Sequence, residues 1–169
     1  MLKILGSIMV IAALSGIGFC FADGLKKKLE LMEAIKATAY LMHGNIKYAN
    51  ATLPEALLSV AGKHKGILKE FLCDIIGTLE ENDGESFMVI WNGAIDKIFP
   101  DNPEESGLLR RLGEIFMYTD RRMQLSGIEL FMEQIDAEIT ELSQELKPKC
   151  YLYKTMGILA GIFVVIVAL

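Results

Sequence analysis

The sequence predicts an all-α protein: a cytoplasmic bundle of about six helices held between an N-terminal and a C-terminal transmembrane helix. Three observations lead there. Apolar runs occupy both ends, "ILGSIMVIAALSGIGFCFA" from Ile4 to Ala22 and "YLYKTMGILAGIFVVIVAL" from Tyr151 to Leu169, each nineteen residues long. Between them apolar residues recur three and four apart almost throughout, and no stretch alternates with a period of two for long. All 22 acidic residues and all but Lys3 of the 17 basic ones lie between Asp23 and Lys154, so the polar chemistry is confined to the middle.

A nineteen-residue helix is about 28 Å long, close to the thickness of a hydrocarbon core. The expected organisation is a transmembrane helix over 1–22, a helical domain over 23–150 and a second transmembrane helix over 151–169. In the second run Tyr151 and Tyr153 fall where an interfacial aromatic belt sits, and Lys154 is near enough to the edge to snorkel. Short apolar runs also occur as buried core helices, and the Cys20-Phe21-Ala22 stretch offers small residues to a signal peptidase. Lys26, Lys27 and Lys28 directly behind the first run argue against translocation and cleavage, and bulky Phe19 before Cys20 argues against a lipoprotein signal. Together with Lys36, Lys147, Lys149 and Lys154 they place the middle domain in the cytoplasm and both chain ends on the far side.

Each helix of the middle domain has its own signal. Leu25, Leu29, Met32, Ile35, Ala39, Met42 and Ile46 form one stripe, predicting a helix from about Leu25 to Lys47 that continues the membrane helix. In "TLPEALLSVA", Thr52 and Glu55 have the spacing of a capping box, and Pro54 sits in the first turn, where its missing N–H is harmless. "GILKEFLCDIIGTLE" and "ESFMVIWNGAIDKIF" give a third and a fourth helix, stopped by "ENDG" and "PDNP", with Cys73 on an apolar face. "EESGLLRRLGEIFMY" is the fifth. The sixth opens at "TDRRMQ" and runs to about Lys147, with Ile128, Phe131, Ile135, Ile139, Leu142 and Leu146 as a coiled-coil-like seam.

The other faces of that last helix carry Glu129, Glu133, Asp136, Glu138, Glu141 and Glu145 with no basic residue among them. Like charges four apart cost a helix about 0.2–0.5 kcal/mol each, so the stripe reads either as a solvated face or as a docking surface for a basic partner. The segment from Asp23 to Lys154 carries net charge −6 (16 basic, 22 acidic), which excludes a nucleic-acid footprint. Cys20, Cys73 and Cys150 are scattered and imply no disulfide framework.

No constellation for catalysis emerges. "GSIMVIAALSGIG" lacks the lysine of a phosphate loop, His43 and His64 have no metal-ligand spacing, and Glu70 and Asp74 share a helical turn as many surface pairs do. No enzyme activity, metal or cofactor is expected. Gly157 and Gly161 form G-x-x-x-G, and Ala12 and Gly16 have the same separation, a pattern that lets helices approach closely in lipid, within the chain or between copies of a homo-oligomer.

Several short motifs, in order along the whole chain, resemble the stage III sporulation protein AB family. They are "GFCFAD" with Gly18, Phe19 and Ala22; "IKY" ending at Tyr48; "LPEAL" with Glu55 and Ala56; Leu112-Gly113 followed by Asp120 and Gln124; and "YKTMGILAG" with Tyr153 and Lys154. The chain departs from that pattern at Ala51-Thr52, where the family has Thr-Pro, and at Met117, where it has a second glycine. The resemblance implies a membrane component of the channel between mother cell and forespore, similar in its helical domain to F-type platform proteins of type II secretion and type IV pilus machines. It also implies a secretion-type ATPase, stage III sporulation protein AA, as partner, alongside membrane lipid. The rival expectation is a membrane-anchored regulator or adaptor that binds a soluble cytoplasmic client.

Overall fold

The computed structural model describes the backbone of residues 2–49, 51–81 and 84–168; side chains are described from 23 to 146, apart from 50, 82 and 83, and at a few positions beyond. Among the described residues six α-helices follow one another: α1 (Leu2–Gly44), α2 (Leu53–Ala61), α3 (Gly66–Glu80), α4 (Phe87–Ile98), α5 (Pro103–Phe116) and α6 (Arg121–Ala168). A π-helical turn, Asn45–Ala49, ends α1. No strand occurs among the described residues.

The chain divides into two compact units. One joins Met1–Glu30 to Glu138–Leu169 and the other is Leu31–Ala137. α1 and α6 each have segments in both. The expected spans 4–22 and 151–169, with the packing candidates Ala12, Gly16, Gly157 and Gly161, lie mostly among residues whose side chains are outside those described. Among the described residues no helix is long and apolar enough to cross a membrane. Sequence signals end the sixth helix near Lys147, whereas α6 continues through Pro148. A proline removes one i to i−4 hydrogen bond without being certain to stop a helix, and the apolar residues beyond it resume the helical pattern.

Within Leu31–Ala137, α2, α3, α4 and α5 pack each against the next. Met32, Ile35, Ala39, Met42 and Ile46 of α1 and its π turn are buried, as are Ile128, Phe131 and Ile135 of α6. Cys73 is exposed, not on the apolar face of α3; Leu68, Phe71, Leu72 and Ile75 are the residues that face turns inward. The position lies one residue beyond the arc those four define, too far round the helix to reach the core.

The centre of this core is aromatic. Trp91 on α4 is fully buried, with Phe71 of α3 edge-on at 5.0 Å, Phe116 of α5 edge-on at 5.7 Å and Phe87 at 5.4 Å between ring centroids. A buried indole N–H must find an acceptor, and Trp91 Nε1 donates to the carbonyl of Leu109 at 2.8 Å. That bond aims the ring at α5, where only glycine leaves room: a Cβ on Gly113 would lie 2.5 Å from Nε1 and 2.6 Å from Cδ1.

Gly113→Ala is therefore expected to destabilise this unit by about 1–3 kcal/mol through overpacking. Gly93→Ala, in α4 with open space around its Cβ, should stabilise it by about 0.5–1 kcal/mol. Denaturant midpoints of the purified full chain measure both, and equal shifts would contradict the packing argument.

Candidate functional site

The acidic stripe of α6 does not present itself as one surface. Glu129 accepts from His43 Nε2 at 3.0 Å, and Asp136 is paired with Lys36. Both bonds join α6 to α1, and seven residues along one helix match seven back along the other, so the two run antiparallel. Glu133 lies between these rungs and is exposed, as are Glu138 and Glu141 farther along; Glu145 pairs with Lys149 one turn on. Lys36–Asp136 and Glu145–Lys149 are exposed ion pairs, each worth at most about 1 kcal/mol, and His43–Glu129 is a hydrogen bond. They fix register more than they add stability.

A second cluster forms where the π turn meets the corner between α5 and α6. Asp120 caps α6: its Oδ1 accepts from the backbone N–H of Met123 at 2.9 Å. Gln124 Nε2 donates to the carbonyl of Phe116, 2.7 Å away at the end of α5, and Arg121 donates to the carbonyls of Ile46 and Lys47 in the π turn. Three polar side chains within five residues thus satisfy the ends of three helical segments. Met117, at the end of α5, has φ −85°, an ordinary right-handed conformation, so its place needs no glycine. A cleft of about 220 Å³ opens here, lined by Ile46, Ala51, Leu53, Thr119, Arg121 and Gln124. It is smaller than the usual small-molecule site of about 300–1,000 Å³ and matches a single protruding side chain. Tyr48 stands on the π turn, 79% exposed, with Lys47 Nζ 5.6 Å from its ring centroid.

Beyond the cleft, Glu55 closes the capping box of α2 by accepting from both the backbone N–H and the hydroxyl of Thr52, each at 2.8 Å. Those bonds hold its carboxyl below the usual carboxylate range. Ala56 beside it is fully buried. The turn between α2 and α3 is anchored by His64, whose Nε2 lies 3.1 Å from the buried hydroxyl of Thr38 on α1. Thr38 donates its one proton to the carbonyl of Ala34 at 3.0 Å, so His64 donates to Thr38. Burial pushes the pKa of His64 down. Among the described residues no group of His, Cys, Asp and Glu is placed to hold a metal. Asp74 pairs with Lys97 rather than with Glu70.

Sequence reading missed Arg121, Thr38 and His64 as structural residues. The carbonyl partners of Arg121 are 75 and 74 residues away, so no local pattern marks it.

With this geometry in place, comparison with known proteins is decisive. The sequence model of the family described as "Stage III sporulation protein AB" matches residues 3–169. The chain belongs to the stage III sporulation protein AB family. A curated family member, the stage III sporulation protein AB of Bacillus subtilis (strain 168), is 21% identical over 169 residues, covering 98% of both chains. A solved structure of a stage III sporulation protein AB shares the fold with a TM-score of 0.61 at 18% identity, covering 69% of this chain and 94% of that one. A sporulation role follows from this membership. Of the family-motif positions, Gly113 makes room for Trp91 and Leu112 is fully buried, Glu55 and Ala56 build α2, and Asp120 and Gln124 build the α5–α6 corner. Tyr48 is exposed. Gly18, Phe19, Ala22, Tyr153 and Lys154 have side chains outside those described.

Two outcomes test this geometry. Asp120→Ala should cost about 1 kcal/mol of stability while Asp120→Asn costs little, read from denaturant midpoints. His64 has a folded pKa below its unfolded value of about 6.5, so its contribution is complete above that pH and is lost as pH falls through the folded pKa. The stability of the wild type should therefore decline on acidification more steeply than that of His64→Gln, and parallel curves would show that burial does not favour the neutral ring.

Proposed function

We propose that the chain is a non-catalytic membrane platform of the sporulation channel between mother cell and forespore. Its terminal apolar runs span the engulfing membrane of the mother cell, and its helical domain lies in the cytoplasm. There it couples a secretion-type ATPase, stage III sporulation protein AA, to the membrane components of the assembly. The acidic residues of α6 supply the surface for a basic partner.

The observation that carries this reading is the family match from residue 3 to residue 169, which takes in both apolar runs and the domain between them. The inventory of side chains agrees with it. The polar groups that come together do so to end helices and to clip α1 to α6, an arrangement suited to holding shape.

Topology is the test. In cells carrying a chain with Cys73 as its sole cysteine, a membrane-impermeant maleimide should react only after lysis; a sole cysteine appended after Leu169 should react in intact cells. Cys73 is exposed and serves directly as the reporter. Reaction of Cys73 in intact cells would put the domain on the wrong side for any ATPase. Deletion should block sporulation and leave vegetative growth intact; a vegetative defect would favour an adaptor for a soluble client.

A further inference from the structure

The turn from α2 to α3 carries Lys63, Lys65 and Lys69, all exposed, with Leu58 61% and Ile67 41% exposed beside them. None of the ion pairs among the described residues involves these three lysines. Their placement is locally unfavourable. Lys65 is the N-cap of α3 and no acidic residue occupies the first turn, so cations sit at the positive end of the helix dipole. Gly66 follows with φ +64°, and His64 pins the turn to Thr38. The corner is thus a fixed basic surface with apolar side chains at its margin.

The same unit carries the opposite surface. Glu133 of α6 is exposed between Glu129 and Asp136, which keep exposed carboxylate edges while they bond His43 and Lys36 of α1, and Leu130 beside them is 56% exposed. The two surfaces are on opposite flanks of α1. Thr38, which holds the basic turn, is 200° around the helix from Lys36 and 140° from His43, the residues that hold α6, at about 100° per residue. They are also at one level. Moving two residues along α1 from Lys36 to Thr38 moves two residues back along α6, from Asp136 to the neighbourhood of Gln134.

We propose that the occupant of the basic corner is a second copy of this chain, which docks the Glu129–Asp136 stripe of its α6 against Lys63, Lys65 and Lys69. Opposite charges at equal height on opposite flanks suit copies that point the same way and are related by rotation about an axis along α1 and α6. Such a contact is heterologous, so it repeats from copy to copy and closes into a ring or extends as a row. Leu58 and Ile67 meet Leu130 at its centre, and the lysines and carboxylates form its rim. This inference rests on the platform reading, because anchoring both chain ends in one membrane is what gives every copy a common direction.

The test uses the full chain, with Cys20, Cys73 and Cys150 replaced by serine, co-expressed in two tagged forms. One form carries Lys65→Cys and the other Glu133→Cys, and a short bis-maleimide is applied to membranes. The mixed pair should cross-link, while Lys65→Cys with itself and Glu133→Cys with itself should not. In mild detergent, K63E/K65E/K69E should reduce co-purification of the two tags at least tenfold, and adding E133K/Q134K to the same chain should restore much of it. Far-UV circular dichroism verifies that each variant stays helical. Absence of the mixed cross-link, or equal cross-linking of Glu133→Cys with itself, overturns the proposal. So does a triple lysine variant that co-purifies normally but loses binding to phosphatidylglycerol vesicles, which would assign the corner to anionic lipid. The maleimide topology experiment reports on the platform reading separately: correct topology without the cross-link removes the interface alone.

Discussion

The bond from the Trp91 indole to the Leu109 carbonyl, made across the bare backbone of Gly113, is the constraint around which the helical unit is arranged. A buried N–H without an acceptor costs about 1–3 kcal/mol, so the ring has one acceptable orientation, and that orientation sets how closely α5 approaches α4. Phe71, Phe87 and Phe116 then pack around the ring, and Phe71 passes the contact on to Phe99 at 5.5 Å. Three consecutive helices are thereby ordered by one side chain.

Away from that centre, the unit is closed by side chains that satisfy helix ends. Asp120, Gln124 and Arg121 do so where α5, α6 and the π turn meet, Thr52 with Glu55 at the start of α2, and His64 with Thr38 beneath the turn that follows. The Arg121 and Gln124 bonds serve part-buried backbone carbonyls, which makes them worth more than the exposed pairs between α1 and α6. The surface pairs have a different consequence. By engaging Glu129 and Asp136 they divide the acidic stripe, so that its charge is displayed along one edge of α6 rather than on a separate face.

This distribution of polar groups bears on function. The cleft at the α5–α6 corner is lined in part by Arg121 and Gln124, each of which donates to backbone carbonyls at a helix end. What the surface does offer is segregated charge, basic at the α2–α3 turn and acidic on α6, with exposed apolar residues beside each.

Much of the fold was legible because helical periodicity and capping are local. The stripe from Met32 to Ile46, the Thr52–Glu55 box and the breaks at "ENDG" and "PDNP" each depend on residues within a turn or two of one another, and the helices start and stop close to where those signals fall. The acidic side chains of α6 were legible as charge, but whether they face solvent or α1 was not. By itself the sequence determined the all-helical class, the order of the helices and the family. Only the tertiary structure decided that Gly113 makes room for Trp91, that Arg121 closes the π turn, and that the basic and acidic surfaces stand level on opposite flanks of α1. The reason is distance along the chain: 22 residues separate Trp91 from Gly113 and 75 separate Ile46 from Arg121, and no local pattern encodes which remote backbone a side chain will meet once the helices pack.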